Sequence, residues 1–378
     1  MENIGISEDM KEYLNDGISY LRIHRYEKAI IAFDLAIEVD PFYLLPYIEK
    51  ERCLRKLGRH NEADEIHEII SDLQSETVLE SSFPEHDPYS HILNLLSKKN
   101  GSTELENLLE SHADSLNALI HGFNQSDLQI SNEYNDIALQ EAYLLYYYPY
   151  YIETVYRELL QLDKKYLENS LSHHLAICYY GCGAAPEYMG TLKFVSSKLE
   201  LYRYLSVYFF DKNEWDATRE SCINHIGPHY CEDDSLNIMS KTNHLDLLSF
   251  KNGNNIRQYP EIRSSKIHIF QNCMRDLIQF SEDKDDVLWV LHNIFSALQA
   301  GSILLISEMY YPKTKLYLNR FAEYIEKHSA GIILQPVSEM RTYRPNFSKP
   351  KEIRSFFEKN TGRDRSNTRY FSFIVMKT

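Results

Sequence analysis

The chain has 378 residues, a formal charge of −15 from 40 Lys+Arg against 55 Asp+Glu, and 43% hydrophobic residues. That length and apolar content exclude a disordered chain and imply two domains, or one domain with a sizeable extension. The acid excess argues against a surface that coats nucleic acid or an anionic membrane. Six cysteines are too sparse for a disulfide framework, and no run of about 18 uncharged apolar residues marks a membrane span. Met1 to Asp9 show no basic stretch leading into an apolar run, so the expectation is a cytoplasmic protein with reduced thiols. The composition is also rich in tyrosine, with 29 against 2 tryptophans.

The first seventy-odd residues repeat. Gly17, Tyr20, Ala29, Phe33 and Ala36 are answered at an offset of 34 by Glu51, Leu54, Ala63, His67 and Ile70. The turn Ile23 to Ala29 is matched by Leu57 to Ala63 in the same way. Small residues at 29 and 63 suit close helix crossings, Tyr20 and Phe33 fill the layer between, and Pro41 ends the second helix. This pattern resembles tetratricopeptide repeats over residues 1–75, with Gly17 replaced by Glu51 in the second unit. Two units leave an apolar face to cover, so the region either presents a binding surface or packs on more helix. Helical patterns continue at Ser90 to Leu96, Glu104 to Ile120 and Asp127 to Tyr147, which makes 76–130 a helical linker region.

Tyr143 to Tyr156 contains seven tyrosines in 14 residues. Pro149 breaks the pattern into two helices, the second running to about Leu162. Tyr143, Tyr147, Tyr150 and Tyr151 then fall on about one face. The cluster is either a tyrosine-built core or a lid over a ligand, since aromatic rings give flat apolar walls and hydroxyls give oriented hydrogen bonds.

Next, Leu175 to Tyr180 reads as a buried strand entering the turn Gly181-Cys182-Gly183-Ala184-Ala185 and then a helix to about Leu199. Such a turn lets backbone amides approach a ligand closely. Tyr204 to Phe210 is a second strand ending in Asp211, where an acid can accept from both hydroxyls of a ribose. A weak strand follows and ends near Asp246. Lys266 to Phe270 is a strand leading into Gln271-Asn272, Val287 to Leu298 a helix, Ser302 to Glu308 a strand and Leu316 to His328 a helix. Gly331 to Val337 and Tyr370 to Met376 supply two last strands. This alternation implies a mostly parallel sheet covered by helices on both faces.

From about Gln140 onward the pattern resembles the class I S-adenosylmethionine-dependent methyltransferases. Tyr179-Tyr180-Gly181-Cys182-Gly183-Ala184-Ala185 stands for the family's first motif, Asp211 for its ribose acid, and Asp246 for its adenine-amine acceptor. Gln271 and Asn272 stand for the loop after the fourth strand. The resemblance implies a doubly wound α/β Rossmann-like sheet with an antiparallel last strand over 131–378, preceded by an all-α domain, with S-adenosylmethionine as cofactor. It places Tyr147, Tyr179, Gly181, Cys182, Gly183, Asp211, Asp246, Gln271 and Asn272 against that cofactor, and residues 131–165 over it as tyrosine-rich lid helices. The sequence departs from the family at Tyr179, where the motif has an acid, and at Ala185, where it has a third glycine.

Methyl transfer needs alignment more than acid–base help. Asn272 and Glu308 are the catalytic candidates, Asn272 to orient an acceptor and Glu308 as a base; Asp276, Tyr310 and Tyr311 lie in the same region. Cys222, His225, His229 and Cys231 have a composition zinc accepts, at a spacing that fits no standard module, and no metal is assigned. Residues 341–369 hold nine basic side chains against three acids, a local positive segment on an acidic chain. The expected function is methyl transfer to N or O of a protein, peptide or small molecule, with the helical region recruiting substrate or forming a homodimer. A nucleic-acid substrate and membrane association are disfavoured. The rivals are a non-catalytic scaffold with a degenerate pocket, and a nicotinamide oxidoreductase, which the terminal strand pair disfavours.

Overall fold

The computed structural model describes residues 8–39, 44–79, 88–100, 105–124, 134–162, 173–199, 201–231, 236–253, 255–283, 285–309, 312–337, 341–343, 347, 349–361 and 368–378. The chain divides into two compact units, residues 1–85 with 342–346 and residues 86–341 with 347–378.

The first unit contains helices α1 (Glu8–Arg22), α2 (Tyr26–Val39), α3 (Leu44–Lys56) and α4 (His60–Leu79), each packed on the next. The internal repeat is visible in the backbone. His24 and Gly58, 34 residues apart, both turn the chain in the left-handed conformation, with φ of 57° and 75°. Arg25 N–H donates to Tyr20 O at 2.9 Å and Arg59 N–H to Leu54 O at 3.0 Å, so the two turns close identically. Ala29 and Ala63 are fully buried. A Cβ at Gly17 would stand 2.4 Å from the Phe33 ring, which explains why the first hairpin carries glycine there. Pro41 lies outside the described residues.

The second unit is built on β1 (His174–Tyr180), β2 (Tyr204–Asp211), β3 (Asn237–His244), β4 (Ile267–Gln271), β5 (Ile303–Met309), β6 (Gly331–Gln335) and β7 (Thr368–Lys377). These strands run in the order β3-β2-β1-β4-β5-β7-β6. The pairs among β1 to β5 are parallel, and β7 is antiparallel to both β5 and β6. This is the doubly wound Rossmann-like sheet with an antiparallel last strand that the methyltransferase resemblance implies. Alternation along each strand separates two cores. Ile177, Tyr179, Phe209 and Ile269 face one helical layer, and Cys178, Tyr180, Phe210 and Phe270 face the other.

Helices Pro88–Asn100, Leu105–Ser111 and Ala113–Asn124 belong to this second unit. Their Ile92, Leu96, Leu108 and Leu116 share a core with the tyrosine-rich helices Ile137–Tyr146 and Tyr148–Leu162. The segment read as a linker is therefore, from Pro88 on, part of the layer that covers the sheet. Helix Tyr148–Leu162 crosses helix Pro186–Ser196 at Gly190, where a Cβ would meet Ile152 O at 2.5 Å. Backbone cannot yield as a flexible side chain does, so only glycine permits this approach. Gly190→Ala should lower stability by about 1–3 kcal/mol, the usual cost of overpacking, in a thermal or urea melt; an unchanged midpoint would show that the helices separate freely.

Candidate functional site

The carboxyl ends of β1, β2 and β4 open onto one pocket, where strands end and turn chemistry takes over. At the end of β1, Gly181 and Gly183 take left-handed conformations, with φ of 60° and 51°. A Cβ on Gly181 would stand 2.6 Å from Cβ of Cys273, so the turn after β1 touches the turn after β4. At the end of β2, the buried Asp211 accepts from Gly183 N–H at 2.7 Å and from Asn213 N–H at 2.9 Å. Arg219, also buried, donates to Gly183 O at 2.9 Å, so the two peptide groups flanking the Gly183 Cα are both held. Burial pushes the Asp211 carboxyl up, against the two N–H donors and Arg219, which pull it down.

Gln271 ends β4. Its amide nitrogen donates to Tyr151 O at 2.9 Å, tying the tyrosine helix to the sheet, while its Oε1 is buried at the pocket with no donor among the described residues. Asn272 turns with φ of 55°, and its Oδ1 accepts from Met309 N–H at 2.9 Å. Glu308 answers from β5, its Oε1 accepting from Met274 N–H at 2.7 Å. These two side chains clasp the ends of β4 and β5 reciprocally. The walls are aromatic: Trp215 lies 5.4 Å from both the Tyr134 and Tyr143 rings, and Tyr151 and Phe280 complete the lining.

Of the residues the sequence singles out for a cofactor, Gly181, Cys182, Gly183, Asp211, Asp246, Gln271 and Asn272 all line this pocket. Tyr147, Tyr179 and Glu308 are not in its lining. Tyr179 lies inside β1, so the strand's alternation sends it into the helical layer; there it stacks on Phe209 and donates to Thr191 Oγ1 at 2.7 Å. Tyr147 stacks on Tyr151 at 5.7 Å, and it is Tyr143 and Tyr151, one helical turn to either side, that reach the pocket. Glu308 is fully buried beneath the turn it caps; burial, with Asp276 nearby, pushes its carboxyl up to about 8, so it is uncharged near neutrality and already engaged. Tyr310 and Tyr311 lie outside the described residues.

Sequence reasoning missed Trp215, Tyr134, Lys212 and Phe280. Trp215 had a signal, as one of two tryptophans and four residues past Asp211. Cys222 is buried, His225 bonds Ser221 O, and His229 stacks on His91 at 3.6 Å; among the described residues no group of three or more ligands could hold a metal. In the basic segment, Lys349 lies over the Tyr150 and Phe357 rings at 5.5 and 5.4 Å, and Lys359 pairs with Glu110 at 3.3 Å. Among the described residues no helix is long and apolar enough to cross a membrane.

No family model matches the sequence, and no curated protein matches it. Several solved structures resemble parts of it. An O-methyltransferase family protein from Burkholderia thailandensis is 11% identical, with 73% of each chain covered and a TM-score of 0.36. A S-adenosylmethionine-dependent methyltransferase from Clostridium acetobutylicum is 10% identical, covering 60% of this chain and 92% of that one at a TM-score of 0.30. The N-methyltransferase NodS from Bradyrhizobium japonicum, solved with S-adenosyl-L-homocysteine, is 12% identical, covering 58% and 84% at 0.29. The fold assignment rests on the strand order and the antiparallel β7, which are the chain's own.

Glu308 makes the clasp sensitive to pH. A carboxyl whose folded pKa is raised keeps its proton at pH values where the unfolded chain has lost it, so its contribution to stability falls as pH rises from about 4.5 through about 8. Glu308→Gln keeps an acceptor for Met274 N–H and cannot ionise. Its melting temperature relative to the wild type should therefore rise between pH 6 and pH 9; a constant difference would mean that Glu308 does not titrate in this range.

Proposed function

We propose that this chain is a methyltransferase that uses S-adenosylmethionine. The observation that carries the reading is the pocket at the ends of β1, β2 and β4, where the Gly181–Gly183 turn, Asp211 and the unpartnered Oε1 of Gln271 converge under Tyr143 and Tyr151. The residues present suit the cofactor. The glycine turn admits a ligand against backbone, Asp211 suits a ribose diol, Asp246 suits an exocyclic amine, and the orphaned Gln271 oxygen suits an N–H donor. When bound, the cofactor supplies an electrophilic methyl group.

The chain's own part is alignment. Asn272, held by Met309 N–H, fixes the turn after β4, and the tyrosine helices wall the pocket and exclude water, so nucleophile and methyl meet in line. The acceptor in this reading is an N or O nucleophile of a protein, peptide or small molecule. The two helical hairpins at the amino end, whose matching turns lie 34 residues apart, would recruit that acceptor or pair two chains.

Calorimetry tests the reading directly. S-adenosylhomocysteine should bind the wild-type chain, and Asp211→Ala and Asp211→Asn should each weaken it about tenfold or more, the scale of a hydrogen bond to a charged group. A folded wild-type protein that binds neither S-adenosylmethionine nor S-adenosylhomocysteine would falsify the proposal.

A further inference from the structure

Three carboxylates line the pocket, and they differ in what already occupies them. Asp211 accepts two backbone N–H groups and lies in the field of Arg219. Asp246 is exposed and caps the short helix Leu247–Asn252 by accepting from Leu248 N–H at 3.0 Å. Asp276 is half-buried on helix Met274–Phe280 and makes no hydrogen bond or ion pair among the described residues. The one cationic side chain in the lining, Lys212, is exposed and directs its ammonium onto the Phe280 ring at 4.4 Å. Among the described residues, Asp276 is thus the pocket carboxylate with no donor of its own. Burial raises its carboxyl to about 6, against the pull of Arg275 and Lys212, and it remains ionised at neutral pH.

Resting on the cofactor reading above, we propose that Asp276 makes the pocket discriminate by charge between cofactor and product, holding the sulfonium of S-adenosylmethionine more tightly than the thioether of S-adenosylhomocysteine. In the transfer the bond between methyl carbon and sulfur breaks and its electron pair stays on sulfur, which becomes neutral. The acceptor's lone pair bonds the methyl carbon, and the acceptor's proton leaves to water. Cofactor and product therefore share nucleoside and amino-acid groups and differ by a methyl and one positive charge. A half-buried carboxylate with no hydrogen-bond or ion-pair partner among the described residues acts on that charge over several ångströms. The charge is lost on transfer, so the same carboxylate that favours loading stops favouring occupancy, and product leaves more readily than cofactor.

The test compares the dissociation constants of S-adenosylmethionine and S-adenosylhomocysteine for the wild type, Asp276→Asn and Asp276→Glu, with melting temperature as the check on folding. The wild type should prefer S-adenosylmethionine. Asp276→Asn should weaken S-adenosylmethionine about tenfold, with S-adenosylhomocysteine changed less than about twofold, and Asp276→Glu should keep the preference. Equal weakening of both ligands would overturn the proposal by placing the carboxylate on a shared group, and no change in either would overturn it by removing Asp276 from the site. A folded wild-type chain that binds neither ligand would instead remove the cofactor reading on which the proposal rests.

Discussion

The carboxylate of Asp211, bonded to the amide of Gly183 while Arg219 holds the carbonyl of the same residue, is the constraint on which the second unit's pocket depends. Glycines in left-handed conformations buy freedom of approach but no rigidity, and a turn of this kind needs holding. Here the end of β2 and the helix after it clamp the turn after β1 through the two peptide groups that flank Gly183. Because Arg219 also lies over the Phe209 ring at 5.1 Å, the clamp is anchored in the hydrophobic layer, and the pocket's shape is set by the sheet's packing.

A second fastening acts at the other wall. Asn272 and Glu308 exchange backbone bonds across the ends of β4 and β5, and Gln271 binds the backbone of the tyrosine helix. Polar side chains that look like reaction chemistry in a linear sequence are, in space, partly the means by which loops are held still. That division of labour suits a displacement whose demand is geometric. What is left over, the Gln271 oxygen and the Asp276 carboxylate, is where the pocket has capacity to spare for a ligand.

The fold was legible because its signals are local. Apolar runs such as Leu175 to Tyr180, glycine at 181 and 183, and acids closing β2 and preceding the helix after β3 all report on positions a few residues apart. Seven of the nine cofactor candidates line one pocket for the same reason, since each lies at a strand's last residue or within a few residues after it. Tyr179 is absent from the lining because a motif position two residues before the turn is still inside the pleat, where side-chain direction belongs to the strand. Glu308 stands outside the lining because an acid at a strand end points to solvent or inward according to what the neighbouring loop needs, and here that loop offers the N–H of Met274. Nor does an amphipathic pattern name its partner, so the helices from Pro88 to Asn124 could be recognised without showing that they complete the second unit's core.

The placement of the tryptophans has an optical consequence. Trp215 stands in the pocket wall, 5.4 Å from two tyrosine rings that share that lining, whereas Trp289 is 53% exposed on helix Asp286–Ala297. One emitter is therefore buried, fed by excitation transfer from neighbouring tyrosines and directly adjacent to any occupant, while the other samples water. The molecule carries its own spectroscopic reporter and its own reference, and occupancy of the pocket can be followed on the unlabelled protein.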